Sequence, residues 1–202
     1  MEELRAEEAL KNLKYFIKAA NCLIRLGRAD DKIFDCIFGL TFHENFFVRG
    51  AAVFALGELG RINEEIVDRL IELSRKDNPL VRRALSYALG KLGKANKEIE
   101  ELIFELCRDE DFCVRLTAAY AIGELGITDE KTAYHLVELS MDRNPYVREA
   151  SAYSMGKSER ADSKIVSRLL ELKEDLNPFV REAASSALYK LRLLNQKDEK
   201  DS

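Results

Sequence analysis

Apolar positions along the chain recur at steps of three and four residues, the period of amphipathic helices. In residues 77–93, DNPLVRRALSYALGKLG, the stripe is Val81, Ala84, Leu85, Ala88, Leu89 and Leu92. Asn78 stands at the N-cap, where its side-chain oxygen can accept from the free amides of the first turn. Pro79 follows at the first helical position, where a missing N–H costs nothing. Gly93 closes the segment as a residue able to take the left-handed conformation. A more charged stretch, KEIEELIFELCRD at 97–109, sets Ile99, Leu102, Ile103 and Leu106 on one face and Glu98, Glu101 and Glu105 towards water. Its counterparts lie at 31–41, 64–76, 130–142 and 163–175. A stripe of Leu10, Leu13, Ile17, Ala20 and Ile24 predicts one long helix over 3–26.

The helix pairs repeat. Val-Arg occurs at 48–49, 81–82, 114–115, 147–148 and 180–181, each 33 residues after the last. Gly57, Gly90, Gly123 and Gly156 keep the same step, and so do Gly27, Gly60, Gly93 and Gly126. The three prolines, Pro79, Pro145 and Pro178, share one phase, with Asn78, Asn144 and Asn177 before them. Asn45 and Asp111 keep the cap without the proline. The expected fold is all-α: a solenoid of five two-helix repeats of 33 residues behind an N-terminal capping helix. We place the cap at 1–27 and the repeats at about 28–60, 61–93, 94–126, 127–159 and 160–194, as a single domain. One such pair is too small to bury a core alone, so the repeats must stack. Residues 195–202 are polar throughout and read as a disordered tail. Ser158-Glu159 replaces the Leu-Gly ending of the other repeats, so the step between the fourth and fifth repeats is expected to be irregular.

Hydrophobic residues make up 47 % of the 202, enough for a continuous core. Charged residues reach 34 %, against ~25 % in typical soluble domains. That composition, with one glutamine and no tryptophan, is thermophile-like. The net charge of −4 argues against nucleic acid as a partner. No apolar run approaches the ~20 residues that span a bilayer, and the acidic N-terminus has no signal core, so a cytoplasmic location is expected. Cys22, Cys36, Cys107 and Cys113 show no metal-binding spacing and read as thiols in a reducing compartment.

The repeat resembles the HEAT repeat, of the short type found in phycobilisome bilin lyases. The resemblance covers residues 12–194 and rests on Asp-x5-Arg at Asp109/Arg115, Asp142/Arg148 and Asp175/Arg181, followed in the Arg115 repeat by A-x2-A-[LIM]-G. It implies a right-handed α-α superhelix with the Val-Arg helices lining the concave side. It also implies a buried ladder in which Asp109, Asp142 and Asp175 join Arg82, Arg115, Arg148 and Arg181 between neighbouring repeats. Lys76 and His43 occupy the aspartate slot of two repeats, with Asp77 and Glu44 one position later.

Little catalytic chemistry is visible. His43-Glu44 is similar to the His-Glu motifs of deoxyhypusine hydroxylase, a di-iron enzyme on HEAT-like repeats. That chemistry needs several such pairs, and the chain has two histidines, His43 and His135. No metal, cofactor or catalytic set is expected, and the protein reads as a non-enzyme. Two columns on the Val-Arg helices stand out instead. Phe54, Tyr87, Tyr120 and Tyr153 lie six residues after each Val, and Phe47 and Tyr146 one before. With Arg83, Lys91, Glu124 and Lys157 beside them, they suit a groove that binds another protein, because Tyr and Arg are enriched at interface hot spots. The competing reading is that the rings pack between helices and only close the core. Two further functions stay open: an accessory subunit of an enzyme complex, and self-assembly of copies through the solenoid ends.

Overall fold

The computed structural model describes residue 22 and residues 31–59, 64–92, 96–126, 129–158 and 163–201; the side chains of 31, 33, 64, 65, 76 and 192–201 lie outside that description. Of the helix expected over 3–26, only Cys22 falls within it, and that residue is helical and exposed. Gly27, Gly60 and Gly93 lie outside it. Every regular element among the described residues is helical. The chain divides into two compact units, Met1–Leu92 and Gly93–Ser202. The division falls on the boundary between the second and third repeats.

In the first unit, α1 (Asp31–Gly39) runs into a short 3-10 turn (Leu40–Phe42), followed by α2 (Phe46–Leu59), α3 (Glu64–Lys76) and α4 (Pro79–Gly90). The caps form as their sequence demands. Asn45 Oδ1 accepts from Phe47 N–H at 2.9 Å, and Asn78 Oδ1 from Leu80 N–H at 3.0 Å. His43 Nδ1 accepts from Asn45 N–H at 3.0 Å, which makes it part of the turn before α2. Ile37, Leu56, Ile66, Leu70, Leu85 and Leu89 are completely enclosed. α2 and α4 pack side by side at very short range. A Cβ on Gly57 would stand 2.5 Å from Ala88 Cα, a distance no real pair tolerates.

The second unit continues with α5 (Lys97–Leu106), α6 (Phe112–Leu125), α7 (Glu130–Leu139), α8 (Pro145–Met155), α9 (Ser163–Leu172) and α10 (Pro178–Asp201). Asp111, Asn144 and Asn177 cap α6, α8 and α10 through the amides of Cys113, Tyr146 and Phe179 at 2.8, 2.9 and 2.9 Å. Gly126 ends α6 at φ +64°, the left-handed turn that its column predicts. Ile99, Leu102, Ile103 and Leu106 are buried, while Glu98, Glu101 and Glu105 face water. The second helices α6, α8 and α10 carry the main lateral packing. Gly123 and Gly156 permit it, since an added Cβ would meet Ser154 and Ala187 at 2.7 Å. Ser154 stays satisfied there, its hydroxyl donating to the Ala119 carbonyl across the α6–α8 contact at 2.7 Å. The irregular Ser158 is buried, and its hydroxyl donates to the Met155 carbonyl at 2.7 Å. α10 is the longest described helix, and its backbone includes 195–201, the stretch read from the sequence as a tail.

Candidate functional site

The Val-Arg helices α2, α6 and α8 start with the same wiring. Arg115 Nη1 donates to the carbonyls of Asp109 and Glu110 at 2.7 and 3.0 Å, bracing its own interhelix turn. Its Nε and Nη2 reach forward to Asp142 at 2.6 and 3.1 Å. Arg148 repeats this with the Asp142 and Arg143 carbonyls behind and Asp175 ahead, the latter at 2.8 Å through both nitrogens. Asp142 and Asp175 in turn accept from Asn144 N–H and Asn177 N–H, each at 2.8 Å. Asp109 accepts from Asp111 N–H at 2.9 Å. Burial pushes the Asp142 carboxyl up, but the Arg115 and Asn144 bonds outweigh it and hold the group below the ordinary carboxylate range. For Asp175 the bond to Arg148 dominates, in the same direction.

In the first unit Arg49 makes the same forward bond to Asp77, Nε to Oδ2 at 2.6 Å, and braces the His43 and Glu44 carbonyls. The acid one position late therefore does the work of the missing one. Arg82 Nη1 donates to the Asp77 carbonyl at 2.6 Å. Arg181 braces Asp175 and Leu176 at 2.8 and 3.0 Å, and among the described residues no carboxylate meets its remaining nitrogens.

The aromatic column behaves differently in the two units. In the first, Phe54 and Tyr87 stack at 4.5 Å, nearly parallel. Phe54 also packs on the buried Ala51. The Tyr87 hydroxyl donates to Glu58, whose carboxylate lies 3.6 Å from Lys91 Nζ. Phe47 and Arg83 are half-buried. This patch satisfies itself: rings face rings, and the polar ends pair with each other.

In the second unit Tyr120 and Tyr153 meet edge to face at 5.5 Å. Beside them opens a cleft of about 340 Å³ between α8 and α10. Tyr120, Tyr153, Phe179, Glu149, Glu182 and Lys190 line it, over a floor of small residues. Tyr146 is 54 % exposed and Phe179 58 %, well above the half-buried Tyr120. Lys157 pairs with Glu124 at 2.6 Å. Lys190 Nζ rests 5.3 Å from the centre of the Tyr153 ring, and Lys157 Nζ 5.7 Å from it. Burial, followed by the nearby Glu149, pushes the Tyr120 phenol up. Glu149 and Glu182 belong to one column, two residues after Val, which runs Gly50, Arg83, Leu116, Glu149, Glu182. Reading that column would have exposed them, because its charge changes sign along the chain.

His135 sits in a third setting, only 3 % exposed on α7. Its ring stacks on Phe104 at 4.2 Å. Nδ1 lies 3.5 Å from the Glu138 carboxylate, too long for a hydrogen bond. Burial holds this imidazole below its ordinary pKa. The neighbouring Cys107 is buried as well, and its thiol is pushed far up, so it offers no thiolate. None of the four cysteines forms a disulfide. Among the described residues no three His, Cys, Asp or Glu side chains converge as metal ligands, and no helix is long and apolar enough to cross a membrane.

Paired helices stacked through close glycine contacts and Arg–Asp rungs define an α-helical solenoid. The comparisons with known proteins agree. HEAT repeats match residues 67–156, and the PBS lyase HEAT-like repeat matches residues 48–76. Both matches are to HEAT-type repeats, and together they span residues 48–156. Among solved structures it is similar to the complex of CpcE and CpcF of phycocyanin lyase from Nostoc sp. PCC7120. There the TM-score is 0.65 at 22 % identity, covering 79 % of this chain and 65 % of that one. It is similar to the archaeal HEAT-like repeats protein from Thermococcus onnurineus NA1, with TM-score 0.57 and 20 % identity over 85 % of this chain and 75 % of that one. A designed armadillo repeat protein in complex with the peptide (KR)4 gives TM-score 0.57 at 15 % identity, over 85 % and 91 %. A search of curated proteins returns no match.

Proposed function

We propose that the protein is a non-enzymatic interaction module, and that the α8–α10 face of the Gly93–Ser202 unit docks a segment of another protein in the cytoplasm. One observation carries this reading. Tyr146, Tyr153 and Phe179 are exposed together beside an open cleft, although the same columns in the first unit are closed and self-satisfied. Exposed aromatic patches of that kind mark interaction sites on soluble proteins. Two solenoids of similar fold support it, one complexed with a second protein and one with a peptide. Of the residues singled out from sequence, Tyr120, Tyr153, Tyr146, Glu124 and Lys157 lie at or beside this face. Phe54, Tyr87 and Lys91 belong to the closed patch and are assigned a packing role, while Phe47 and Arg83 are half-buried in the same unit.

Affinity purification from native cells tests the reading, with the wild type compared against a Tyr146→Ala/Tyr153→Ala variant. Partners held by the wild type should be lost from the variant, while its far-UV circular dichroism and melting temperature stay close to wild type. Unfolding of the variant, or unchanged capture, would assign the rings to the core instead.

A further inference from the structure

Building on that docking face, we infer that the cleft between α8 and α10 recognises an arginine or lysine side chain presented by an extended, basic segment of the partner. The argument starts from charge. Glu149 is half-buried in the cleft wall and Glu182 stands exposed beside it. Among the described residues neither carboxylate pairs with a basic side chain. Lys157, two residues past the end of α8, is already held by Glu124 at 2.6 Å. Among the described residues Lys190 is the one lysine lining the cleft, against two glutamates. An unpaired carboxylate in a cleft wall can accept a charge-assisted hydrogen bond from an incoming cation.

The rings add the second part. Tyr153 already attracts a cation, since Lys190 Nζ rests 5.3 Å from its centre. A guanidinium is planar and less strongly hydrated than an ammonium, so it stacks on the same face more favourably and can still fork to a carboxylate. Lys190 sits on a flexible stem and can swing aside. Size completes the case. A space of about 340 Å³ lies at the lower end of ligand sites, room for one long side chain and too little for a helix. The wall of Tyr120, Tyr153 and Phe179 would cover the apolar stem, and the carboxylates would meet the charged head. An acidic segment would put its charge beside Glu149 and Glu182.

Fluorescence anisotropy with labelled octapeptides decides the matter. One probe alternates arginine and serine, a second alternates glutamate and serine, and a third is serine and asparagine only. The arginine peptide should bind the full chain most tightly. Glu149→Gln with Glu182→Gln should weaken it about tenfold, and Tyr153→Ala should weaken it too. A charge-matched control, Glu101→Gln with Glu105→Gln on the distant α5, should leave it unchanged. Equal loss in the control, no loss in the Glu149/Glu182 variant, or no preference for the arginine peptide overturns the inference. If the glutamate or neutral peptide binds instead and is lost on Tyr153→Ala, the docking face stands and its cation preference falls. If no peptide responds to Tyr153→Ala, the inference is overturned, and the purification experiment above decides the face separately.

Discussion

Arg115 does two things with one guanidinium: it braces the turn before its own helix and ties that helix to the next repeat through Asp142. Both side chains are about nine-tenths buried. Truncating one partner strands the other's charge away from water, so Arg115→Ala should cost about 2–4 kcal/mol in urea unfolding. A loss under about 0.5 kcal/mol would show a pair that behaves like a surface bridge. The ladder also shapes the acid limb. Asp77, Asp142 and Asp175 all have lowered folded pKa values, so their contribution is complete above the ordinary carboxylate range near ~3.9 and is lost as pH falls through the folded values. His135 acts at higher pH with the same sign. Its folded pKa is lowered by burial, so stability is complete above about 6.5 and declines as pH falls below it. His135→Gln should flatten the urea midpoint between neutral pH and the carboxylate region, leaving the lower step in place. An unchanged slope in that variant would place the loss on another group.

At the scale of elements, close packing separates Gly57, on the 33-residue column, from Gly39, which lies off it. Gly57 lies where α2 meets α4, and a methyl group there collides with the Ala88 backbone. Gly57→Ala should therefore destabilise by about 1–3 kcal/mol, the usual cost of overpacking. Gly39 is helical with nothing near its missing Cβ. Gly39→Ala should stabilise by about 0.4–1 kcal/mol, because it only restricts the unfolded chain. Thermal melts of both variants check the pair, and a common sign for the two would refute the close-approach account. The helices and their caps were legible because Asn-Pro starts and apolar stripes act locally. The 33-residue step of Gly57, Gly90, Gly123 and Gly156 pointed to close helix approach, but Ala88 as the partner of Gly57 emerges only from the structure. The aromatic column was not legible. Tyr87 and Tyr153 occupy equivalent positions, yet one is closed by Glu58 and Phe54 while the other opens on a cleft with Glu149. That difference depends on neighbours from other columns, and no single column encodes it. His135 escaped for a related reason: a polar letter on a charged helix gave no sign of the Phe104 ring that buries it.

For the whole molecule, the same column bears on whether copies stack end to end. Gly57, Gly123 and Gly156 each admit the next helix at contact distance. One period after Gly156 stands Tyr189, 66 % exposed on α10. A helix approaching α10 as α10 approaches α8 would meet a phenol ring where the Gly57, Gly123 and Gly156 contacts meet hydrogen. Among the described residues no carboxylate meets the forward nitrogens of Arg181, so the rung is open but the seat is blocked. Head-to-tail growth requires both ends of a solenoid, and obstruction at one end suffices to prevent it. Light scattering should accordingly give one mass across a hundredfold range of concentration. Tyr189→Gly removes the obstruction and restores the spacing of the earlier contacts, so that variant should show a mass that rises with concentration. Growth in the wild type would mean that copies associate through another surface. An inert Tyr189→Gly variant would mean that the open Arg181 rung and the cleared seat together are too weak to hold a second copy.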